Sequence, residues 1–224
     1  MISPDTYLQP ATPLPPRSDY RPLCWRCRRP LGGCYCPLIR PFASEPRMII
    51  LSQPREAKHR LGTGRMAHLC LSNSALIEGV DFTLDQRVNR EIDDRLNFPV
   101  LLYPSNDSID LSKLNRSERT ALIPSRQRLV VFVVDGTWKS ARKMIRSSQN
   151  LRRLTAISFA PVTPSAYFIR RQPRPRCYST IEAIHQVIEL FAAGGKGRGA
   201  DARPHDNLLK VFASLVDRQL TYTP

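Results

Sequence analysis

Leu129-Val-Val-Phe-Val-Val-Asp-Gly-Thr-Trp138 is the stretch of sequence that decides the fold of this 224-residue chain. Six apolar residues, most of them β-branched, predict a strand buried on both faces, as in a parallel sheet. The strand delivers Asp135, Gly136, Thr137 and Trp138 to its carboxyl end, and ligands bind at that edge of open α/β sheets. The same residues also fit an ordinary helix start, with Asp135 or Thr137 as the N-cap and Trp138 in the core.

Other short apolar runs alternate with helical patterns, which indicates an α/β fold with a mostly parallel sheet and helices on both faces. We expect further strands at 48–51, 100–103 and 154–160, with a short one at 167–169, and helices at 64–72, 138–149, 179–193 and 206–220. This domain occupies 46–224 and follows a flexible proline-rich tail at 1–20 and a cysteine-rich segment at 21–45. No apolar run reaches the ~18–20 residues of a membrane span.

The charge of the chain is strongly positive. With 34 Lys and Arg against 19 Asp and Glu, the formal net charge is +15, which indicates a polyanionic partner. Nucleic acid is the first choice, because no basic helix with a wide apolar face supports the alternative of an anionic membrane. Two acid-free clusters are expected to contact phosphates. They consist of Lys139, Arg142, Lys143 and Arg146 on one helix face, and of Arg170, Arg171 and Arg174.

Four cysteines form the pattern C-x2-C-x6-C-x-C, at Cys24, Cys27, Cys34 and Cys36. Four thiolates so close in sequence, spaced by turn-forming proline and glycine, suit a tetrahedral zinc ion. Because sulfur would fill all four positions, we expect a structural ion in a zinc knuckle whose arginines contact nucleic acid. Disulfides are the alternative, but they need an oxidising compartment, and residues 1–22 lack a secretory signal pattern. We therefore expect a cytoplasmic protein.

A well-specified helix start lies at Ser179-Thr180-Ile181-Glu182, where Ser179 and Glu182 form a capping box. A purely structural cap is one interpretation. The other is that free backbone N–H groups and the helix dipole hold a carboxylate or phosphate of a ligand, with Thr180 as an added hydroxyl donor.

These pieces together resemble the DTW-domain family, whose Asp-x-Thr-Trp signature stands here as Asp135-Gly136-Thr137-Trp138. The resemblance also covers the four cysteines, Gln53-Pro54-Arg55-Glu56 with Gly62-Thr63, Leu101-Leu-Tyr-Pro-Ser105, Ser165-x-Tyr167-x-Ile169-Arg-Arg-Gln-Pro173 and Tyr178-Ser-Thr-Ile-Glu-Ala183. Each motif is weak alone, and their order and spacing make the resemblance specific. Two positions depart from the family pattern, with Gln53 in place of His and Tyr178 in place of Leu.

The resemblance implies a fold related to the SPOUT methyltransferases, with a C-terminal knot, and a tRNA-uridine aminocarboxypropyltransferase activity. In that reaction, N3 of a uridine attacks the γ-carbon of the methionine part of S-adenosylmethionine, and methylthioadenosine leaves. Bacterial members of similar size that carry the cysteine knuckle modify a uridine at position 47, in the variable loop of tRNA. The implied partner is therefore tRNA and the implied donor S-adenosylmethionine, and we favour a monomer.

The expected catalytic residues are Asp135, Thr137 and Trp138. Asp135 acts either as the general base at N3 or as a grip on the α-amino group of the donor. Trp138 either stacks on the uracil or packs beneath the site. The residues expected around the donor are Leu102, Pro104, Ser105, Asp135, Gly136, Thr137, Tyr167, Ser179 and Thr180. Two rival functions are a SPOUT-type RNA methyltransferase and a non-enzymic zinc-knuckle RNA-binding protein.

Overall fold

The computed structural model describes residues 22–57, 62–167, 177–192 and 203–221. Within these ranges, six strands form one sheet, at Arg47–Ser52 (β1), Ala75–Glu78 (β2), Asn97–Leu102 (β3), Ile109–Asp110 (β4), Arg128–Asp135 (β5) and Thr155–Ser158 (β6). Seven α-helices lie in the same ranges, at Pro54–Ala57 (α1), Thr63–Cys70 (α2), Gln86–Asp93 (α3), Arg116–Ala121 (α4), Trp138–Ser147 (α5), Thr180–Phe191 (α6) and Asp206–Thr221 (α7).

The sheet has the order β2-β1-β5-β3-β6-β4, and all of its neighbouring strands are parallel. The predicted α/β class with a mostly parallel sheet is therefore confirmed. β5 lies in the middle because its side chains are apolar on both faces. Its neighbours are β1 and β3, and the register sets Ser52 of β1 opposite Asp135 of β5. The carboxyl end of β5 is thus flanked by the ends of two other strands.

Helices cover both faces of the sheet, as predicted. Alternate residues of β1 and β5 point to opposite faces, so each strand contributes to two apolar clusters. One cluster contains residues of α2, α6 and α7. The other contains residues of α3 and α5. Among the described helices, none is both long and apolar enough to span a membrane.

The cysteine-rich segment packs onto this domain. Tyr35 and Ile39 are buried in the same apolar cluster as α7. From α7, Arg218 donates a hydrogen bond to the carbonyl oxygen of Cys34 at 3.0 Å, and Asn207 donates to that of Leu38 at 3.0 Å. The segment is therefore fixed against the C-terminal helix.

The principal predicted elements are present as β1, α2, β3, β5, α5, β6, α6 and α7. The expected short strand at 167–169 is not formed at Tyr167, which has no strand conformation, and 168–169 lie outside the described residues. The expected tail at 1–20 also lies outside them. The sequence prediction missed β2, β4 and the helices α1, α3 and α4.

Candidate active site

Asp135 is the last residue of β5, and its side chain is held by two hydroxyl groups. Ser52 Oγ donates to Oδ2 of Asp135 at 2.8 Å, and Thr180 Oγ1 donates to Oδ1 at 2.7 Å. Ser52 ends β1 and Thr180 begins α6, so three segments that are distant in sequence meet at this carboxylate. Asp135 is only 3% exposed. Its two hydroxyl contacts fix the carboxylate at the ligand-binding edge of the sheet.

Gly64 allows α2 to approach this carboxylate closely. A Cβ atom at Gly64 would lie 2.5 Å from both Cγ and Oδ2 of Asp135, which is a severe overlap. Gly64 is the second residue of α2, and Thr180 is the first residue of α6. Asp135 thus lies beside the first turns of two helices, whose positive dipole ends favour negative charge there.

A cleft of about 220 Å³ opens beside Asp135. One of its walls consists of knuckle residues, and the other consists of residues from the ends of β1 and β5, from β2, from α1 and from the start of α2. The described lining is Leu23, Cys27, Arg28, Arg29, Tyr35, Ser52, Glu56, Ala57, Gly62, Arg65, Leu76 and Asp135. The cysteine knuckle is therefore part of the candidate site rather than a separate appendage.

Three guanidinium groups, of Arg28, Arg29 and Arg65, line this cleft together with the carboxylates of Glu56 and Asp135. Glu78 Oε1 lies 3.3 Å from Arg65 Nη2 and 3.7 Å from Arg28 Nη1, so one carboxylate serves two guanidinium groups. Burial lowers the pKa of the Arg29 guanidinium, which also lines the cleft. Together with the carboxylate of Asp135, this arrangement suits a ligand that carries both an anionic group and a hydrogen-bond donor.

The four knuckle cysteines form a cluster that fits a metal ion. Cys24 and Cys36 have their Sγ atoms 3.8 Å apart, those of Cys27 and Cys34 are 3.7 Å apart, and all four lie within 4.8 Å of one another. A tetrahedral zinc ion with Zn–S bonds of ~2.3 Å requires sulfur separations of about 3.8 Å. All four are free thiols in the structure. Backbone N–H groups of Cys27 and Arg26 lower the pKa of Cys24 to about 6, which favours the thiolate form that binds metals, whereas burial raises the pKa of Cys27 and of Cys36.

The Asp-x-Thr-Trp motif divides between the site and the start of a helix. Thr137 is exposed and its Oγ1 accepts a hydrogen bond from the backbone N–H of Ser140 at 3.2 Å, which caps α5. Trp138 is 40% exposed rather than buried in the core, and its ring centroid lies 6.3 Å from that of Tyr103. Gly136 packs against Ser140. Only Asp135 of this motif is buried at the edge of the sheet.

Leu102, Pro104 and Ser105, which were expected at the donor, lie at the end of β3. Leu102 is half-buried, and Pro104 and Ser105 are exposed in the turn that follows. Because β3 and β1 are the two neighbours of β5, these residues lie on the side of Asp135 opposite to β1.

The expected carboxylate site at the start of α6 holds a carboxylate from the chain itself. Glu182 Oε2 accepts from the backbone N–H of Ser179 at 2.8 Å and from its Oγ at 2.6 Å. The same carboxylate accepts from Ser165 Oγ at 2.8 Å and from the backbone N–H of Ala166 at 2.8 Å. The capping box is therefore present, and it ties the segment after β6 to α6. Thr180 is the residue of this helix start that reaches Asp135.

Tyr167 was also expected at the donor. It is buried, and its ring packs edge-on against Phe212 of α7, with ring centroids 5.3 Å apart. The structure thus does not bring the Tyr167 ring to the cleft beside Asp135, whose described lining lacks it.

The predicted basic face of α5 is exposed to solvent. Ala141 and Met144 are buried on the opposite face of the helix. Within the described residues, no acidic side chain forms an ion pair with the four cations of this face, Lys139, Arg142, Lys143 and Arg146. The second cluster, Arg170, Arg171 and Arg174, lies outside the described ranges.

A second group of potential metal ligands joins α6 to α7. His185 Nε2 lies 3.1 Å from Oδ1 of Asp206, and His205 Nε2 lies 2.7 Å from Oε2 of Glu189. Arg203 donates to both carboxylates, to Glu189 at 2.6 Å and to Asp206 at 2.9 Å. Its guanidinium already supplies the positive charge that a cation would bring, so this group is an ion-pair cluster between helices.

Among the site residues that the sequence interpretation missed are Ser52, Glu56, Gly64 and Arg65. Ser52 had a usable signal, since it is the polar residue that ends the apolar run at 48–51. Because the carboxyl ends of parallel strands meet at one edge, a hydroxyl in that position is a candidate contact of Asp135. The other three depend on how α1 and α2 pack, which no local pattern reveals.

The fold and site together define an α/β protein with a candidate ligand site at the strand ends, where one wall is a knuckle of four cysteines that could hold a metal ion. The model of the DTW domain matches residues 21–220, so the chain belongs to the DTW-domain family.

Relatives from animals and a plant carry a common name. The chain is 31% identical over 193 residues to "tRNA-uridine aminocarboxypropyltransferase 2" of Drosophila melanogaster, covering 84% of this chain and 73% of that protein. The protein of the same name from Mus musculus is 27% identical over 178 residues, 78% of this chain and 58% of that protein. "tRNA-uridine aminocarboxypropyltransferase A" of Arabidopsis thaliana is 24% identical over 200 residues, 79% of this chain and 75% of that protein. The chain thus spans less than two thirds of the mouse protein. No solved structure matches it.

Proposed function

We propose that this protein is an enzyme that transfers the 3-amino-3-carboxypropyl group of S-adenosylmethionine to N3 of a uridine in tRNA. The observation that carries this proposal is the placement of Asp135, the acid of the family motif, at the sheet edge beside a cleft lined by three arginines. The names of the relatives support the reaction and the tRNA substrate.

The chemistry gives Asp135 one of two roles. Uridine N3 carries a proton, so it is a poor nucleophile until that proton is shared or removed, and Asp135 can accept it as a general base. Alternatively, Asp135 holds the α-amino group of the donor. In both roles the hydroxyls of Ser52 and Thr180 keep the carboxylate in place, and such positioning makes transfer to a fixed carbon efficient.

The donor occupies the β3 side of Asp135 in this proposal. Backbone groups of Leu102, Pro104 and Ser105 contact the adenosine, and Thr180 lies near the amino acid part. The exposed ring of Trp138, beside Tyr103, offers a surface on which the adenine of the donor can stack. Contacts of this kind present the γ-carbon, rather than the methyl group, to the acceptor.

The tRNA lies across two basic surfaces, the exposed face of α5 and the knuckle. Trp25 of the knuckle is 87% exposed and is followed by Arg26, which combines a stacking surface with positive charge. Proteins read unpaired RNA bases through such pairs of aromatic and basic side chains. The target is a loop uridine, with position 47 of the variable loop as our choice, and the enzyme acts in the cytoplasm as a monomer.

The four knuckle cysteines hold a zinc ion in this proposal. With four sulfur ligands the ion has no open position for a substrate, so its role is structural. We also propose that the fold carries the C-terminal knot of the SPOUT enzymes.

The experiment that tests the function is incubation of the protein with unmodified tRNA and S-adenosylmethionine, followed by mass spectrometry of the digested nucleosides. We expect aminocarboxypropyl-uridine and an equal amount of methylthioadenosine. Adenosylhomocysteine in place of methylthioadenosine would instead show methyl transfer. If the donor stays unchanged and the protein binds tRNA tightly, the protein is an RNA-binding module and not an enzyme of this class.

A further inference from the structure

The cleft beside Asp135 has the cysteine knuckle as one wall and the ends of β1 and β5 as the other. We infer that this cleft receives the acceptor, a uridine nucleotide of the tRNA, while the donor lies on the β3 side of Asp135. The inference rests on the proposed function and deepens it. It makes the knuckle a wall of the acceptor pocket, in addition to any contact with the tRNA outside.

The two hydroxyl groups that donate to Asp135 bind different oxygens of its carboxylate and come from different elements. Ser52, which donates to Oδ2, belongs to β1 and lines the cleft. Thr180, which donates to Oδ1, belongs to α6 and is not in the described lining of the cleft. β5 separates β1 from β3 in the sheet, and the residues proposed for the adenosine end β3. In this inference, Asp135 contacts the acceptor on the β1 side and the donor on the β3 side.

The stereochemistry of the reaction requires two such sides. Transfer at a saturated carbon needs the attacking nitrogen and the leaving sulfur on opposite faces of that carbon. N3 of uridine forms a bond to the γ-carbon while the carbon–sulfur bond breaks, and the electron pair of that bond stays on sulfur, which becomes neutral. The N3 proton leaves to the carboxylate of Asp135 or to water. With the donor on the β3 side, attack comes from the β1 side, where the cleft opens.

The groups in the cleft match a uridine nucleotide. The carboxylate of Asp135 accepts a hydrogen bond from N3–H, a donor that a neutral cytosine lacks. Arg28, Arg29 and Arg65 offer guanidinium donors to a phosphate, and the carboxylates of Glu56 and Asp135 line the same cleft. Leu76 and Leu23 give the cleft apolar surface for the ring.

Two bulky substitutions test the assignment of the sides. Ala57 lines the cleft and Ser105 follows β3, so Ala57→Phe fills the acceptor side and Ser105→Phe fills the donor side. We expect Ala57→Phe to slow transfer to tRNA at least ~10-fold while the donor Kd, from calorimetry, stays within about twofold. Ser105→Phe weakens donor binding. Loss of donor affinity in Ala57→Phe, or full activity of that variant, overturns the inference.

A third variant removes one cation without adding bulk. Arg28 has φ of 58°, a left-handed conformation that glycine adopts freely, so Arg28→Gly deletes the guanidinium and keeps the backbone of the knuckle. The expected result is a KM for tRNA raised roughly 10-fold, with an unchanged KM for the donor. An unchanged KM for tRNA contradicts the inference. This test remains valid even if thermal melting shows that Ala57→Phe does not fold.

A failure of the proposed function would give a different experimental result from a failure of this inference. If the wild-type protein forms no methylthioadenosine with tRNA and donor, the reaction is wrong. The affinity of wild type and Arg28→Gly for tRNA alone then tests whether the cleft binds RNA, and equal affinities overturn that part independently.

Discussion

Gly64→Ala is the change that most sharply tests the geometry of the site. The added methyl group would lie 2.5 Å from Cγ and Oδ2 of Asp135, and 2.9 Å from Oδ1, whereas ordinary contacts begin near 3.4 Å. The carboxylate therefore has to move by roughly 1 Å, since backbone shifts of a packed helix are costly. A movement of that size breaks or lengthens the bonds from Ser52 at 2.8 Å and Thr180 at 2.7 Å.

The effect on activity should exceed the effect on stability. In the first turn of α2, replacing glycine with alanine contributes about 0.5–1 kcal/mol to the stability of the helix. Overpacking against Asp135 costs about 1–3 kcal/mol, so the net loss in free energy of unfolding is about 0–2.5 kcal/mol. A misplacement of about 1 Å in a catalytic group, by contrast, reduces the rate on the order of 100-fold.

The assay is the rate of methylthioadenosine release with saturating tRNA and donor, together with urea unfolding of the same preparations. Gly32→Ala is the matched control, because a Cβ atom at Gly32 meets no atom within 4 Å. We expect the control to retain the wild-type rate. A wild-type rate in Gly64→Ala would refute the close packing of α2 on Asp135 as a requirement of catalysis.

Three further outcomes follow from the site and its surroundings. Cys27→Ser should remove zinc from the protein, as measured by metal analysis, and should abolish transfer. The reason is that structural zinc contributes on the order of 10 kcal/mol to the folding of its site. A wild-type protein without bound metal would contradict this prediction. The double variant Arg142→Ala/Lys143→Ala should reduce the slope of log tRNA affinity against log salt concentration by about 1.5, whereas an unchanged slope would exclude this helix face as a phosphate contact. Burial lowers the pKa of His185 below its ordinary value near 6.5, so the unfolded chain binds a proton that the folded chain does not. The free energy of unfolding should therefore decline as the pH falls below about 6.5, and His185→Gln should lessen that decline in urea unfolding; an identical pH profile would contradict it.

The elements that the sequence predicts well are those with continuous apolar patterns. The run of β5 and the amphipathic patterns of α6 and α7 identify core elements directly. α3 and α4 were missed because both are short and carry few apolar residues: α3 has only Val88 and Ile92 facing the core, and α4 buries no residue. Their N-caps, Asp85 and Asn115, were the available signal.

The site was predictable only in part, for a topological reason. Asp135 follows from the strand pattern, and Thr180 follows from a specified helix start. The contact of Asp135 with Ser52 depends on β5 lying beside β1, a pairing between strands more than 70 residues apart in the chain. The knuckle as a wall of the cleft depends on its docking to α7, for which the sequence holds no periodic signal.

Gln53, where the resemblance led us to expect a histidine, has a structural role of its own. Its Oε1 accepts hydrogen bonds from the backbone N–H groups of Arg55 and Glu56 at 2.6 and 3.1 Å. It thereby caps the short helix α1, which carries Glu56 and Ala57 to the cleft.

The most direct measurement of the central claim compares wild type with Asp135→Ala in a single turnover of S-adenosylmethionine on tRNA, scored by modified uridine and methylthioadenosine. The variant is expected to fold and to bind tRNA with wild-type affinity, yet to form neither product. Normal product formation by Asp135→Ala would remove this carboxylate from the reaction and contradict the account.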